Sequence, residues 1–247
     1  MKNAVLAVAV LVACQSSVDD YPSRPGSGGP TTVGAGNSGG DAGTGDGGLG
    51  ITGRLCILRD LRKVADCDAT KDASRLSVTL GTKRPNAAPS KTGVFTIPDQ
   101  LGTGLVWRVT GATIISTVMP FGTDTVIPVV PDDLYTELLA SNRMTIPAEG
   151  QGSVVVRVVR GVAPASGVAA TSNLVSANTV PLYDADNSAL DWRQIGPTQS
   201  AGIVWFPGVN VTTTPAPITL TPMVGKPVTL SASVETGAIT FVTQDLQ

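Results

Sequence analysis

The sequence predicts an all-β fold, arranged as two tandem sandwiches behind a flexible tether, and three observations carry that reading. Short β-rich runs recur through residues 51–247 with glycine or proline at most of their boundaries. A single helical pattern interrupts them near 132–141. Ahead of them, twelve glycines fall in the twenty-nine residues from Pro22 to Gly50, with Val33 and Leu49 the only large aliphatics. Such a stretch cannot build a core. It is expected to be a disordered coil with a reach of about 30 Å.

The strand signals begin at Ile51–Leu58. Residues 75–80 alternate, which places Leu76, Val78 and Leu80 on one face. Residues 93–97, 105–109, 114–119 and 125–130 follow as strands. Then Pro131 suits a first helical turn, Asp132 and Asp133 favour its positive end, and Leu134, Tyr135, Leu138 and Leu139 recur at helical spacing. This helix closes the first sandwich or bridges to the second. Strands resume at 153–159, 167–172, 202–206, 218–221, 228–234 and 238–243. The expected domains are 51–147 and 148–247, sizes ordinary for a sandwich. The two halves echo each other, with residues 92–98 in one resembling 201–207 in the other.

Composition removes much chemistry. The chain has no histidine, which excludes Ser-His-Asp and Cys-His catalysis, a histidine zinc site and haem held by an imidazole. Ten aromatics are too few for the girdles of a membrane barrel. No S-x-x-K is present. Gly43, Gly45 and Gly48 match the dinucleotide spacing, but no strand precedes them and no helical pattern follows. No cofactor is expected, and the chain reads as a non-enzyme.

The amino terminus carries an export signal. Lys2 precedes a wholly apolar run from Ala4 to Ala13, and Cys14 follows directly. Ten helical residues span about 15 Å, half of a hydrocarbon core of about 30 Å, so the run cannot cross a bilayer. Leu11-Val12-Ala13-Cys14 resembles the lipobox of bacterial lipoproteins. That resemblance implies a signal peptide over 1–13, cleavage before Cys14, acylation of its thiol, and a lipidated tether over 14–50. The protein is then expected to be exported and lipid-anchored to the bacterial cell envelope, at the outer membrane, with the membrane as its first partner.

With Cys14 assigned to lipid, Cys56 and Cys67 remain, and in an exported chain they are expected to pair. The loop they close holds Arg59, Arg62 and Lys63. Nine of the seventeen basic residues lie between Arg54 and Lys91 with four acids among them. Arg59, Arg62, Lys63, Lys83 and Arg84 are therefore candidates for binding anionic glycan or lipid head groups, beside the plainer reading of a solvated surface. Nucleic acid is not an expected partner of an exported acidic chain.

Residues 153–209 carry a second resemblance. The strand, hairpin with proline and glycine, and second strand of Val154–Val168, followed by Gly202-Ile203-Val204-Trp205-Phe206-Pro207-Gly208, look like the opening and the aromatic strand of carboxypeptidase regulatory-like domains. Those are transthyretin-like, immunoglobulin-like sandwiches. The resemblance implies a non-catalytic module for contact, adhesion or spacing on an exported protein, with envelope glycan or protein as its partner. The 173–202 insertion departs from the pattern. Its Asp184, Asp186 and Asp191 are weak calcium candidates, because Ala189 and Ile195 stand where an EF-hand needs glycine and glutamate. The same carboxylates support the alternative of a carbohydrate-active or other hydrolase, or its accessory subunit. A soluble secreted adhesin is a third reading. Finally, Ile203 and Trp205 point one way along their strand while Val204 and Phe206 point the other. The second apolar face is covered by Tyr183 and Trp192 or else forms, with Trp205, Phe206, Trp192 and Tyr183, a partner surface.

Overall fold

A computed structural model describes residues 50–247 except 82–85, 99–102, 123, 177–178 and 187. The signal peptide, Cys14, the tether, and the candidates Lys83 and Arg84 lie outside the described residues.

The described chain is all-β with one helix. Its elements are β1 (Ile51–Ile57), β2 (Ser77–Leu80), β3 (Val94–Ile97), β4 (Val106–Thr110), β5 (Ser116–Pro120), β6 (Val126–Val129), α1 (Asp132–Ser141), β7 (Gln151–Arg160) and β8 (Ala163–Pro164). They continue as β9 (Val168–Thr171), β10 (Leu182–Asp184), β11 (Trp192–Arg193), β12 (Ile203–Asn210), β13 (Ala216–Pro222), β14 (Val228–Ala232) and β15 (Ala238–Asp245). The short β8, β10 and β11 carry little periodicity of their own, and none was expected as a strand.

Three sheets form. The principal one runs β11-β10-β12-β7-β15-β5-β4-β2, with β8 beside β7; the others are β3-β1-β6 and β14-β13-β9. The stretches expected as separate sandwiches, 51–147 and 148–247, thus share a sheet and fall within one unit. The joint is β15, which lies parallel to both β7 and β5. The echo between the halves does not extend to position either, since β3 is an edge strand and β12 an interior one.

Two cores flank the principal sheet. Val155, Ile203, Trp205, Ile239 and Phe241 meet Leu55, Ile127 and Leu138 from β1, β6 and α1. Alternate residues Val154, Val156, Val158, Val204 and Phe206 meet Val168, Ile218 and Leu230 from β9, β13 and β14. A strand covered on both faces must be apolar at successive positions. That accounts for the run of valines in β7 and for Ile203-Val204-Trp205-Phe206.

The helix occupies the expected residues and buries Tyr135, Leu138 and Leu139. Its C-terminal Asn142 is buried and divides its amide. Nδ2 donates to Leu138 O and Leu190 O, while Oδ1 accepts from Trp192 N, so the helix end is fastened to the 173–202 insertion. Inside the core the Tyr135 hydroxyl lies 2.6 Å from Ser153 Oγ, which donates to Pro207 O at 2.6 Å. With the serine proton so engaged, the tyrosine is the donor of the first bond. Burial pushes the Tyr135 hydroxyl up to about 12, whereas an unfolded tyrosine titrates near 10, roughly. The resulting stability is complete below about pH 10 and is lost as pH rises through about 12. Tyr135→Phe is therefore expected to remove about 3 kcal/mol of alkaline destabilisation. Urea denaturation at a series of pH values reads this, and an unchanged alkaline slope contradicts it.

Cys56 and Cys67 form a disulfide, as expected, with Cα atoms 4.8 Å apart. It closes the loop between β1 and the bridge at Leu58–Cys67. On the chain-entropy account, removing the disulfide by Cys56→Ala with Cys67→Ala is expected to cost about 3 kcal/mol. Thermal denaturation of that variant checks this; a melting point equal to that of the parent contradicts it.

Candidate functional site

The principal sheet contains a split. β15 is in register with β5 only from Ala238↔Ser116 to Thr240↔Val118, but with β7 it continues to Asp245↔Val159. β5 leaves because it stays with β4, pairing through Pro120↔Val106, after which Phe121 N donates to Leu105 O. The chain then continues into β6, whose partner is β1.

A cleft of about 740 Å³ opens where the strands separate. Met119, Phe121, Val126 and Pro128 line one side; Val159, Phe241 and Thr243 line the other, with Val64 and Ala65 of the disulfide loop at one end. Asp124 and Asp245 stand on the rim. Asp124 Oδ2 accepts from Thr243 Oγ1 at 3.4 Å, and Asp245 Oδ1 accepts from the backbone N–H groups of Gly161 and Gln247. Arg157 also lines the cleft. Two residues along β7 from Val155, it occupies the face on which Val155 enters the core. It is half-buried and forms no ion pair or side-chain hydrogen bond among the described residues. A guanidinium so placed attracts a negative group in reduced dielectric, where the pairing is stronger than in water. The arrangement suits binding an anionic group attached to an apolar body.

The residues expected to make other sites have different duties. Trp205 and Phe206 are fully buried, and Trp192 and Tyr183 nearly so. They do not form a partner surface. Trp192 meets Trp205 edge-on in one core, with ring centroids 5.6 Å apart, and Tyr183 joins Phe206 in the other. Gly196 lies flat on the Tyr183 ring, where an added Cβ would approach Cζ to 2.2 Å. Cover by the insertion is the correct alternative.

Asp184 is fully buried on β10. Its carboxylate accepts from the backbone N–H groups of Gln199 at 2.8 Å, Ala201 at 2.7 Å, Gly202 at 3.2 Å and Ile203 at 3.3 Å. Both oxygens are thereby committed to the turn that starts β12, which corrects their expected availability to calcium or to hydrolysis. Gly202 is required there: its φ is +65°, and an added Cβ would lie 2.6 Å from Val158 O. Asp186 accepts from Ser200 Oγ at 2.5 Å, and Asp191 is exposed. Among the described residues no three acids or cysteines gather as metal ligands.

The anion-binding candidates are not held as one set. Arg62 is turned inward to Asp60, with Nη2 2.9 Å from Oδ2, and its Nη1 donates to Ala185 O. Arg59 pairs with Asp68 at 2.6 Å, and that bond holds the Asp68 carboxyl well below the usual carboxylate range. Lys63 is exposed. The cation at the cleft, Arg157, was not singled out from the sequence. Its signal was present, as a charge within the run Val154 to Val159 at a position matching the core-facing alternation.

No family model matches the chain, and no curated protein matches it. Among solved structures, the Bacillus anthracis TIE protein is similar at 10% identity over 79% of this chain and 33% of that one, with a TM-score of 0.25. A fimbrial protein from Bacteroides ovatus is similar at 8% identity over 81% of this chain and 51% of that one, with a TM-score of 0.19. The chain spans about a third to a half of the length of these structures.

Proposed function

We propose that this is a lipid-anchored protein of the bacterial cell envelope that acts as a non-catalytic binding, adhesion or structural module, exposed at the outer membrane. The observation that carries the reading is the amino-terminal order of Lys2, ten apolar residues and Cys14, followed by a glycine-rich stretch too poor in aliphatics to pack. One end attaches and the other is folded. The likeness of 153–209 to carboxypeptidase regulatory-like domains supports a contact role, and β7, β8 and β9 follow the strand, hairpin and strand order of that pattern. Asp60 and Asp184, the buried carboxylates among the described residues, are engaged in holding loops, which favours a module over a carboxylate hydrolase.

Cys14→Ala tests the anchor. The exported wild-type chain is expected in the membrane pellet and to be released only by detergent, whereas the variant is expected in the soluble fraction. Two or three acyl chains at about 0.8 kcal/mol per buried methylene hold firmly, so the change in partition should be nearly complete. Equal retention of the two forms refutes anchoring through Cys14.

A further inference from the structure

We infer that the cleft between β5 and β15 receives an extended segment of a partner protein, which adds to the free side of β15 and places an acidic side chain against Arg157. The inference deepens the reading of the chain as a binding module and rests on it.

Two independent observations converge on this occupant. The first is the backbone. Val158 turns its N–H to Gly202 O and its C=O to Ala165 N, whereas Val159 O accepts from Leu246 N. Alternation along β15 therefore turns Val242 and Gln244 toward β7, and Thr243 toward the side that β5 has left. From Phe241 to Asp245, β15 has a strand neighbour on one side only among the described residues. Five residues offer about 17 Å of unpaired edge. Unpaired strand edges are satisfied by another extended backbone. The second is the charge. Arg157 is a half-buried cation that forms no ion pair among the described residues, and it lines the cleft together with Val159, Phe241 and Met119. An acid flanked by aliphatic residues complements both. Asp124 and Asp245 on the rim disfavour acids elsewhere along the segment.

The test is an array of immobilised seven-residue peptides alternating Val and Thr, with Glu moved through every position and Gln in matched controls, overlaid with the full chain. The expected result is retention only where Glu occupies one position of the frame, reduced about tenfold by Arg157→Gln. Thr243→Pro removes a donor outside the ladder to β7, so it should leave the fold intact and weaken every peptide. N-methylation of alternate peptide amides gives the same reading without altering the protein, and is expected to abolish retention. Retention that ignores Arg157→Gln, survives N-methylation, or is absent from every peptide overturns the inference. So does concentration-dependent self-association lost in Arg157→Gln, which makes the occupant a second copy. Because the array reads only the cleft and Cys14→Ala reads only the anchor, the two proposals fail separately.

Discussion

Replacing Arg62 with alanine is expected to lower the free energy of unfolding by about 3–5 kcal/mol. Arg62 grips Asp60 through two nitrogens, Nε to Oδ1 and Nη2 to Oδ2, both at 2.9 Å. The side chains are only 9% and 11% exposed. Alanine would leave a buried carboxylate with the Arg62 backbone N–H as its remaining bond to that residue. The same guanidinium reaches Ala185 O, 123 residues away in sequence, so the disulfide loop would also lose its fastening to the segment after β10. Urea denaturation measures the loss. The double variant Asp60→Asn with Arg62→Met removes both charges and should recover much of it, since the cost lies chiefly in the stranded anion. A single-variant loss below about 1 kcal/mol would show that water already reaches the pair.

Asp184→Ala is expected to cost a similar about 3–5 kcal/mol, for a different reason. Here the carboxylate forms no ion pair among the described residues and is held by four backbone N–H groups between Gln199 and Ile203. Alanine would leave the Gln199, Ala201 and Ile203 N–H groups without this acceptor at the entry to β12, while Gly202 N–H keeps Gln199 O. Asp184→Asn keeps one oxygen but turns an N–H group toward donors, so it should recover only part of the loss. Hydrogen exchange provides a local reading: the amides of Ala201 and Ile203 should exchange much faster in the alanine variant. Amides that stay as protected as in the parent would mean that the turn is held by something other than this carboxylate. Calcium binding at Asp184 predicts a different pattern, in which a chelator reproduces the loss in the parent.

The sequence by itself determined the local elements. Alternation at Leu76, Val78 and Leu80 placed β2, the Pro131-Asp132-Asp133 start and its apolar spacing placed α1 at its observed residues, and the two cysteines left once Cys14 is assigned to lipid were expected to pair, as they do. Each depends on neighbours within a few positions, where backbone geometry alone sets the period. Only the tertiary structure decided what covers both faces of β7 and β12, because a second layer comes from residues far along the chain. The same holds for β15, whose parallel insertion beside β7 and β5 unites the two halves and leaves the cleft where β5 departs. Asp184 illustrates the limit most plainly. One acid among several in a polar stretch reads as a ligand or a turn until the backbone it anchors, fifteen to nineteen residues on, is brought to it. Pattern reports which side of an element is apolar; which residues close upon it depends on long-range pairing, and no local period encodes that.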